Sequence, residues 1–120
     1  MKLVIGGYAQ GKLEFVKREH LGESAECVEK LAEEPVIFNH LHTWIRERIA
    51  DGGCPEEEIK EYIRKNPDCI LISDEVGNGI VPMDAFEREY RERCGRILVE
   101  LAKEADEVER VICGIGQSIK

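Results

Sequence analysis

No stretch of this chain stays apolar for anything near the roughly 20 residues that a membrane-spanning helix needs. The first residues run straight into a strand-like segment rather than a signal peptide. The expectation is a cytoplasmic protein with no membrane partner. A long basic run is also missing. Charged residues make up 35% and the formal net charge is -8, an acidic surface that argues against nucleic acid as a partner. Five cysteines, at 27, 54, 69, 94 and 113, are an odd number with no Cys-x-x-Cys pair, which argues against a zinc site or a disulfide framework. Cys69 and Cys113 fall in strand-like runs, and Cys27 and Cys94 on apolar helix faces, so all four are expected to pack as small core residues. Internal repeats and low-complexity linkers are absent, and 120 residues suffice for one core but not two. A single domain spanning 1–120 is expected.

What is present is a loop. Gly6-Gly7-Tyr8-Ala9-Gln10-Gly11-Lys12-Leu13 follows Lys2-Leu3-Val4-Ile5, an apolar run that reads as a buried strand, and precedes a predicted helix. A Gly-x4-Gly-Lys segment in that context is the pattern of a phosphate-binding loop. The end glycines let successive backbone N–H groups converge on an anion, and Lys12 adds a full positive charge beside the outer phosphates. A glycine-rich turn with no ligand is the alternative that the pattern alone leaves open. One element is missing: such loops continue with Ser or Thr, whose hydroxyl ligates the magnesium ion bridging the phosphates, and Leu13 cannot ligate a metal.

Downstream, strand and helix alternate. A first helix continues over 14–20, and a second is predicted over 24–34, with Cys27, Val28, Leu31 and Ala32 as its apolar stripe and Pro35 as its stop. Val36-Ile37-Phe38-Asn39 reads as a buried strand, followed by a helix over 40–50 that the Asp51-Gly52-Gly53 turn closes. Pro55 and three glutamates open another helix, with Ile59, Tyr62 and Ile63 facing inward. Cys69-Ile70-Leu71-Ile72-Ser73 is apolar enough to be a central parallel strand. The longest helix is predicted over 84–105, capped by Asp84 and Glu87, with Phe86, Tyr90, Cys94, Ile97, Leu98 and Leu101 inward. A last strand over 108–115, interrupted by Glu109 and Arg110, is expected near an edge. The alternation predicts an α/β domain of three layers with a mainly parallel sheet, whose carboxyl edge carries the loop.

Two further segments narrow the reading. Ile72-Ser73-Asp74-Glu75-Val76-Gly77-Asn78-Gly79-Ile80-Val81-Pro82 closely resembles the Asn-Glu-Val-Gly-x-Gly-Ile-Val-Pro loop of the adenosylcobinamide kinase/adenosylcobinamide-phosphate guanylyltransferase family of cobalamin biosynthesis. Arg88-Glu89-Tyr90-Arg91, Gly95-Arg96, Ala105-Asp106-Glu107-Val108 and Gly114-Ile115-Gly116 are similar to its long helix and last strand, and Leu41 and Trp44 fit its leucine-threonine-x-tryptophan stretch. The resemblance implies a P-loop NTPase-like (RecA-like) fold and use of GTP or ATP to phosphorylate a corrinoid, adenosylcobinamide. It also implies transfer of GMP through a histidine, and assembly as a homo-trimer. The eight residues from Gly6 through Leu13 are then the candidate nucleotide contacts.

Departures from the family pattern fall on the chemistry. Leu13 replaces the magnesium-binding hydroxyl, Asn39 stands where an acid is expected, Asp74 where the family has Asn, and Leu98-Val99 where it has Asn-Gln. The interval 14–35 lacks the guanylylated histidine with its arginine-proline and tryptophan, and His20 has none of that context. The expected protein is therefore a nucleotide binder with guanylyl transfer lost and kinase activity weak or absent, its Mg2+ lacking the usual protein ligands. The alternative is a non-catalytic regulatory or structural oligomeric module.

Among single residues, Lys12 and Glu75 are the candidate catalytic groups; Glu75 either meets a substrate hydroxyl or metal-bound water, or caps its own loop. Asn39, Asp74, Arg88 and Arg91 are candidate phosphate or substrate contacts, the two arginines alternatively pairing with Glu87 or Glu92. His40 and His42, two apart on a predicted helix, would point roughly 200° from each other, so no metal site is expected from them, and one ring is expected near the nucleotide edge and the other at the surface. Trp44 is expected in the core or an interface.

Overall fold

The computed structural model describes residues 1–18, 27–28, 37–75 and 84–120. Its elements run β1 (Lys2–Gly6), α1 (Lys12–Val16), β2 (Cys27–Val28), β3 (Ile37–Phe38), α2 (Leu41–Ala50), α3 (Pro55–Lys65), β4 (Ile70–Asp74), α4 (Ala85–Glu104), β5 (Glu107–Ile112) and β6 (Ile115–Ser118). The strands form one sheet in the order β2-β3-β4-β1-β5-β6, parallel except for the β5–β6 pair.

Alternation along the strands builds the three layers. On one face Leu3, Phe38, Leu71 and Val108 join Leu41, Trp44 and Ile45 of α2, Ile59 and Tyr62 of α3, and Tyr90, Cys94, Ile97 and Leu101 of α4 in a single buried cluster. On the other, Val4, Ile37, Ile70, Ile72 and Val111 pack with Phe15 and Val16 of α1. Because successive side chains of a strand point to opposite faces, a continuous apolar run is what a doubly covered sheet requires. β4 is central, as its composition predicts. Trp44 is a core residue, set edge-on to Phe38 with ring centroids 5.9 Å apart.

The helix starts follow their chemistry. Asp84 caps α4 by accepting from the N–H groups of Phe86 (2.8 Å) and Glu87 (3.2 Å). The Glu87 carboxylate does not reach back to complete the pair; it meets Arg46 of α2. Pro55 opens α3, and two of the three glutamates behind it leave the helix dipole for partners on neighbouring helices: Glu58 binds Arg48, and Glu56 binds Arg93.

Three expectations are corrected. Cys27 and Val28 lie in a short strand paired with Ile37 and Phe38, not in a helix; a few apolar residues at 27, 28, 31 and 32 fit either period, and pairing to β3 decides between them. The rest of that predicted helix, with His20 and the segment 76–83, lies outside the described residues. The predicted last strand is a hairpin: Cys113 and Gly114 both have positive φ, 51° and 77°, turning the chain into β6. β6 is the outer strand on that side and β5 lies next to it, near the edge as its charges predict. The charges that argued for an edge are paired, Glu109 with Lys2 on one face and Arg110 with Glu75 on the other. Cys113 consequently sits exposed in a turn instead of packing in a strand, whereas Cys69 and Cys94 are buried as expected.

Candidate functional site

Parallel pairing brings three strand ends together. Gly6 of β1 is in register with Asp74 of β4, and β3, which leads into Asn39, pairs with β4 on its other side. The carboxyl edge of the sheet, where open α/β folds bind ligands, thus carries the glycine loop, Asn39 and Asp74 in one row.

The loop conformation depends on its end glycines. A Cβ on Gly6 would stand 2.6 Å from the carbonyl oxygen of Val111, so only glycine lets β1 pass β5 there. Gly11 has φ 81° and its carbonyl accepts from the Phe15 N–H at 2.9 Å, beginning α1. Between them Gln10 ties the loop to the β5–β6 turn: its side-chain Oε1 accepts from the Cys113 N–H (2.7 Å) and its backbone carbonyl from the Gly114 N–H (2.8 Å).

Lys12, at 7% exposure, does not point into bulk solvent. Its Nζ donates to the Gly7 carbonyl at 2.7 Å and stands 2.6 Å from Asp74 Oδ1. Asp74 is in turn held by His42 of α2. Its backbone N–H donates to His42 Nδ1 at 3.0 Å, and its Oδ2 lies 3.3 Å from Nε2. With Nδ1 accepting, a neutral imidazole carries its proton on Nε2, facing the carboxylate. Burial lowers the His42 pKa and outweighs the opposing pull of Asp74, so this neutral form is favoured. The Tyr90 hydroxyl donates to the His42 carbonyl at 3.1 Å, anchoring the start of α2 to α4.

An open cleft of about 550 Å³ runs along this edge, lined by Tyr8, Ala9, Gln10, Gly11, Lys12, Leu13, Glu14, Asn39, His40, His42, Thr43 and Asp74. Its volume is in the range of small-molecule sites, roughly 300–1,000 Å³. Six of the eight loop residues line it, from Tyr8 to Leu13, with Gly6 and Gly7 shaping the loop behind them. The sequence expectation for the two histidines is corrected. His40 is not inside the helix but precedes it, with φ 56°, and this left-handed residue turns its ring to within 5.7 Å of the His42 ring. The remaining candidates sit elsewhere. Glu75 pairs with Arg110 at 2.8 Å, and its N–H donates to the Gly6 carbonyl at 2.8 Å. Arg88 and Arg91 lie on α4, outside the cleft lining, and the glutamates expected beside them meet other arginines, Glu87 with Arg46 and Glu92 with Arg96. Thr43 is a lining residue to which the sequence did not point, whereas His42 stands at this edge as one of the two histidines was expected to.

Leu13 turns part of its side chain onto the Val4–Phe15 cluster, and Asn39 presents an amide, buried to 5% exposure. Among the described residues no group of three or more His, Cys, Asp or Glu is arranged to hold a metal ion. Nor is any described helix long and apolar enough to cross a membrane.

A mainly parallel three-layer sheet with a glycine–lysine loop between its first strand and first helix defines an α/β domain of the P-loop NTPase type. Within that class the chain belongs to the family described as cobinamide kinase / cobinamide phosphate guanyltransferase, whose model matches residues 14–119. It is 47% identical over 69 residues to the bifunctional adenosylcobalamin biosynthesis protein CobU of Salmonella typhimurium, covering 54% of this chain and 38% of that protein. To the protein of the same name from Escherichia coli it is 45% identical over 51 residues, 42% of this chain and 28% of that one. The matched part thus spans well under half the length of either relative.

Proposed function

We propose that the chain binds GTP or ATP by its phosphates at the Gly6–Lys12 loop. In this reading it is a member of the cobinamide kinase/guanylyltransferase family in which guanylyl transfer is lost and phosphoryl transfer to a corrinoid is weak or absent. The observation that carries the reading is Lys12: a shielded ammonium at the foot of an open cleft, already balanced by one carboxylate and one carbonyl, which an incoming phosphate would replace. The backbone of the loop supplies the other donors, and none of this needs a hydroxyl at position 13.

Phosphoryl transfer is catalysed chiefly by positioning and charge neutralisation. Magnesium, when bound, neutralises the phosphates; Leu13 offers it no oxygen and Asn39 no charge. Binding is therefore favoured over efficient turnover. Any residual activity belongs to the adenosylcobinamide kinase type, since the interval 14–35 lacks the sequence context of a guanylylated histidine. Assembly as a homo-trimer is part of the same reading, and the exposed Ile112, Ile115 and Ile119 on and beside β6 offer apolar surface for it.

Calorimetric titration of GTP and of ATP into the wild type and Lys12→Ala tests the proposal. Saturable binding that disappears in the variant is the expected result. No heat with either nucleotide would leave the loop without a ligand and move the function to protein contacts.

A further inference from the structure

We propose that Asp74 has two alternating partners: it holds Lys12 while the loop is empty, and it becomes the protein's carboxylate toward the divalent cation that arrives with the nucleotide, directly or through water. The inference rests on the nucleotide-binding reading above and adds to it the residue that answers the metal. Among the described residues two carboxylates line the cleft, those of Glu14 and Asp74. Glu14 is exposed on α1, whereas the Asp74 side chain is only 18% exposed and lies at the end of β4, in register with the first glycine of the loop. A phosphate group that takes the Lys12 ammonium leaves Asp74 facing a polyanion at close range. Two like charges so placed repel unless a cation stands between them. A hard divalent cation with oxygen ligands fits that position, since such ions are commonly held by one or two carboxylates plus substrate phosphates, with water completing the shell.

Two features suit the side chain to this exchange. His42 fixes the Asp74 backbone through the 3.0 Å hydrogen bond from its N–H, and Nε2 stays beside Oδ2, so the carboxylate keeps an orienting neighbour after Lys12 leaves. The two positions where the family pattern expects a magnesium ligand cannot substitute. Leu13 has no donor oxygen, and the Asn39 amide carries no charge to balance the cation.

The test is the metal dependence of nucleotide affinity in wild type, Asp74→Asn and Asp74→Ser, measured by calorimetry with GTP in EDTA and in Mg2+. It is joined by the affinity of Mn2+ for the GTP complex, read from its electron paramagnetic resonance signal. Wild type is expected to bind GTP more tightly with the cation. In both variants metal-free binding should persist or tighten, because Lys12 loses a competitor, while Mn2+ affinity falls by roughly 10–100-fold. Asp74→Ser keeps the test open if Asp74→Asn fails to fold. Unchanged Mn2+ affinity in the variants, or GTP binding that tightens equally with and without metal, would make Asp74 a counter-ion of Lys12 only and overturn the proposal. Absence of GTP binding to the wild type in both buffers is a different result, and it would remove the nucleotide reading together with this one.

Discussion

Lys12 Nζ and Asp74 Oδ1 approach to 2.6 Å with side-chain exposures of 7% and 18%, joining the loop after β1 to the end of β4. A pair this shielded is costly to break from one side, because the surviving charge keeps its desolvation cost. Lys12→Ala is therefore expected to lower stability by about 1–3 kcal/mol as well as abolish phosphate binding. Urea denaturation reads the first effect. For the second, saturating GTP should raise the melting temperature of wild type, about 2.7 kcal/mol of stabilisation at a hundredfold excess over Kd, and leave that of the variant unchanged.

Gly6 gives a steric prediction. Its missing Cβ would meet a backbone oxygen, that of Val111, rather than a side chain able to move aside. Gly6→Ala should push β1 and β5 apart and cost about 1–3 kcal/mol. Gly52→Ala is the control, since open space surrounds Gly52 while its φ of 78° still disfavours alanine. A Gly6→Ala protein as stable as the wild type would show that the loop can shift at no cost.

Acid sensitivity should reside partly between α3 and α4. Hydrogen bonds from Arg93, at 2.9 Å from both Nε and Nη2, hold the Glu56 carboxyl below its ordinary value of 4.5. A carboxyl with a depressed folded-state pKa stabilises the fold at pH above its unfolded value. That contribution is lost as pH falls from about 4.5 through the folded value, because the unfolded chain takes up the proton first. Glu56→Gln should lower stability at pH 7 by about 0.5–1 kcal/mol and flatten the fall in stability below pH about 4.5. Equal acid limbs in the two proteins would rule out the pair as their source.

The sheet, the loop and the central position of β4 were legible because they rest on local patterns: continuous apolar runs, Gly-x4-Gly-Lys, and Pro or Asp at helix starts. What was not legible depended on partners distant in sequence. Glu109 and Arg110 looked like mere interruptions of an apolar strand because Lys2 and Glu75, which pair with them, cannot be located from spacing. His40 and His42 looked divergent because the helix was assumed to include His40, when in fact His40 takes a left-handed φ and the helix begins after it. Asp74 read as one departure among several; only the Gly6–Asp74 register reveals it as the neighbour of Lys12. The resemblance to the family rested on long matched segments, and the match over 14–119 bears it out.

Gln10 carries the last prediction. It joins the glycine loop to the β5–β6 turn through two hydrogen bonds, of which the one from Cys113 uses the side chain and the one from Gly114 uses the backbone. Gln10→Ala removes only the first, leaving the Cys113 N–H, at an exposed turn, free to find water. The stability cost should therefore be small, within about 0.5–1.5 kcal/mol. The effect on binding should be larger than that figure suggests, because the loop N–H groups bind an anion only when they converge, and a freer loop must be ordered again on each binding event. GTP affinity is expected to weaken several-fold, with Gln10→Glu restoring the acceptor but adding a negative charge beside the phosphates. If Gln10→Ala binds as wild type while Gln10→Glu weakens binding, the side chain influences the site through charge alone and the turn does not order the loop.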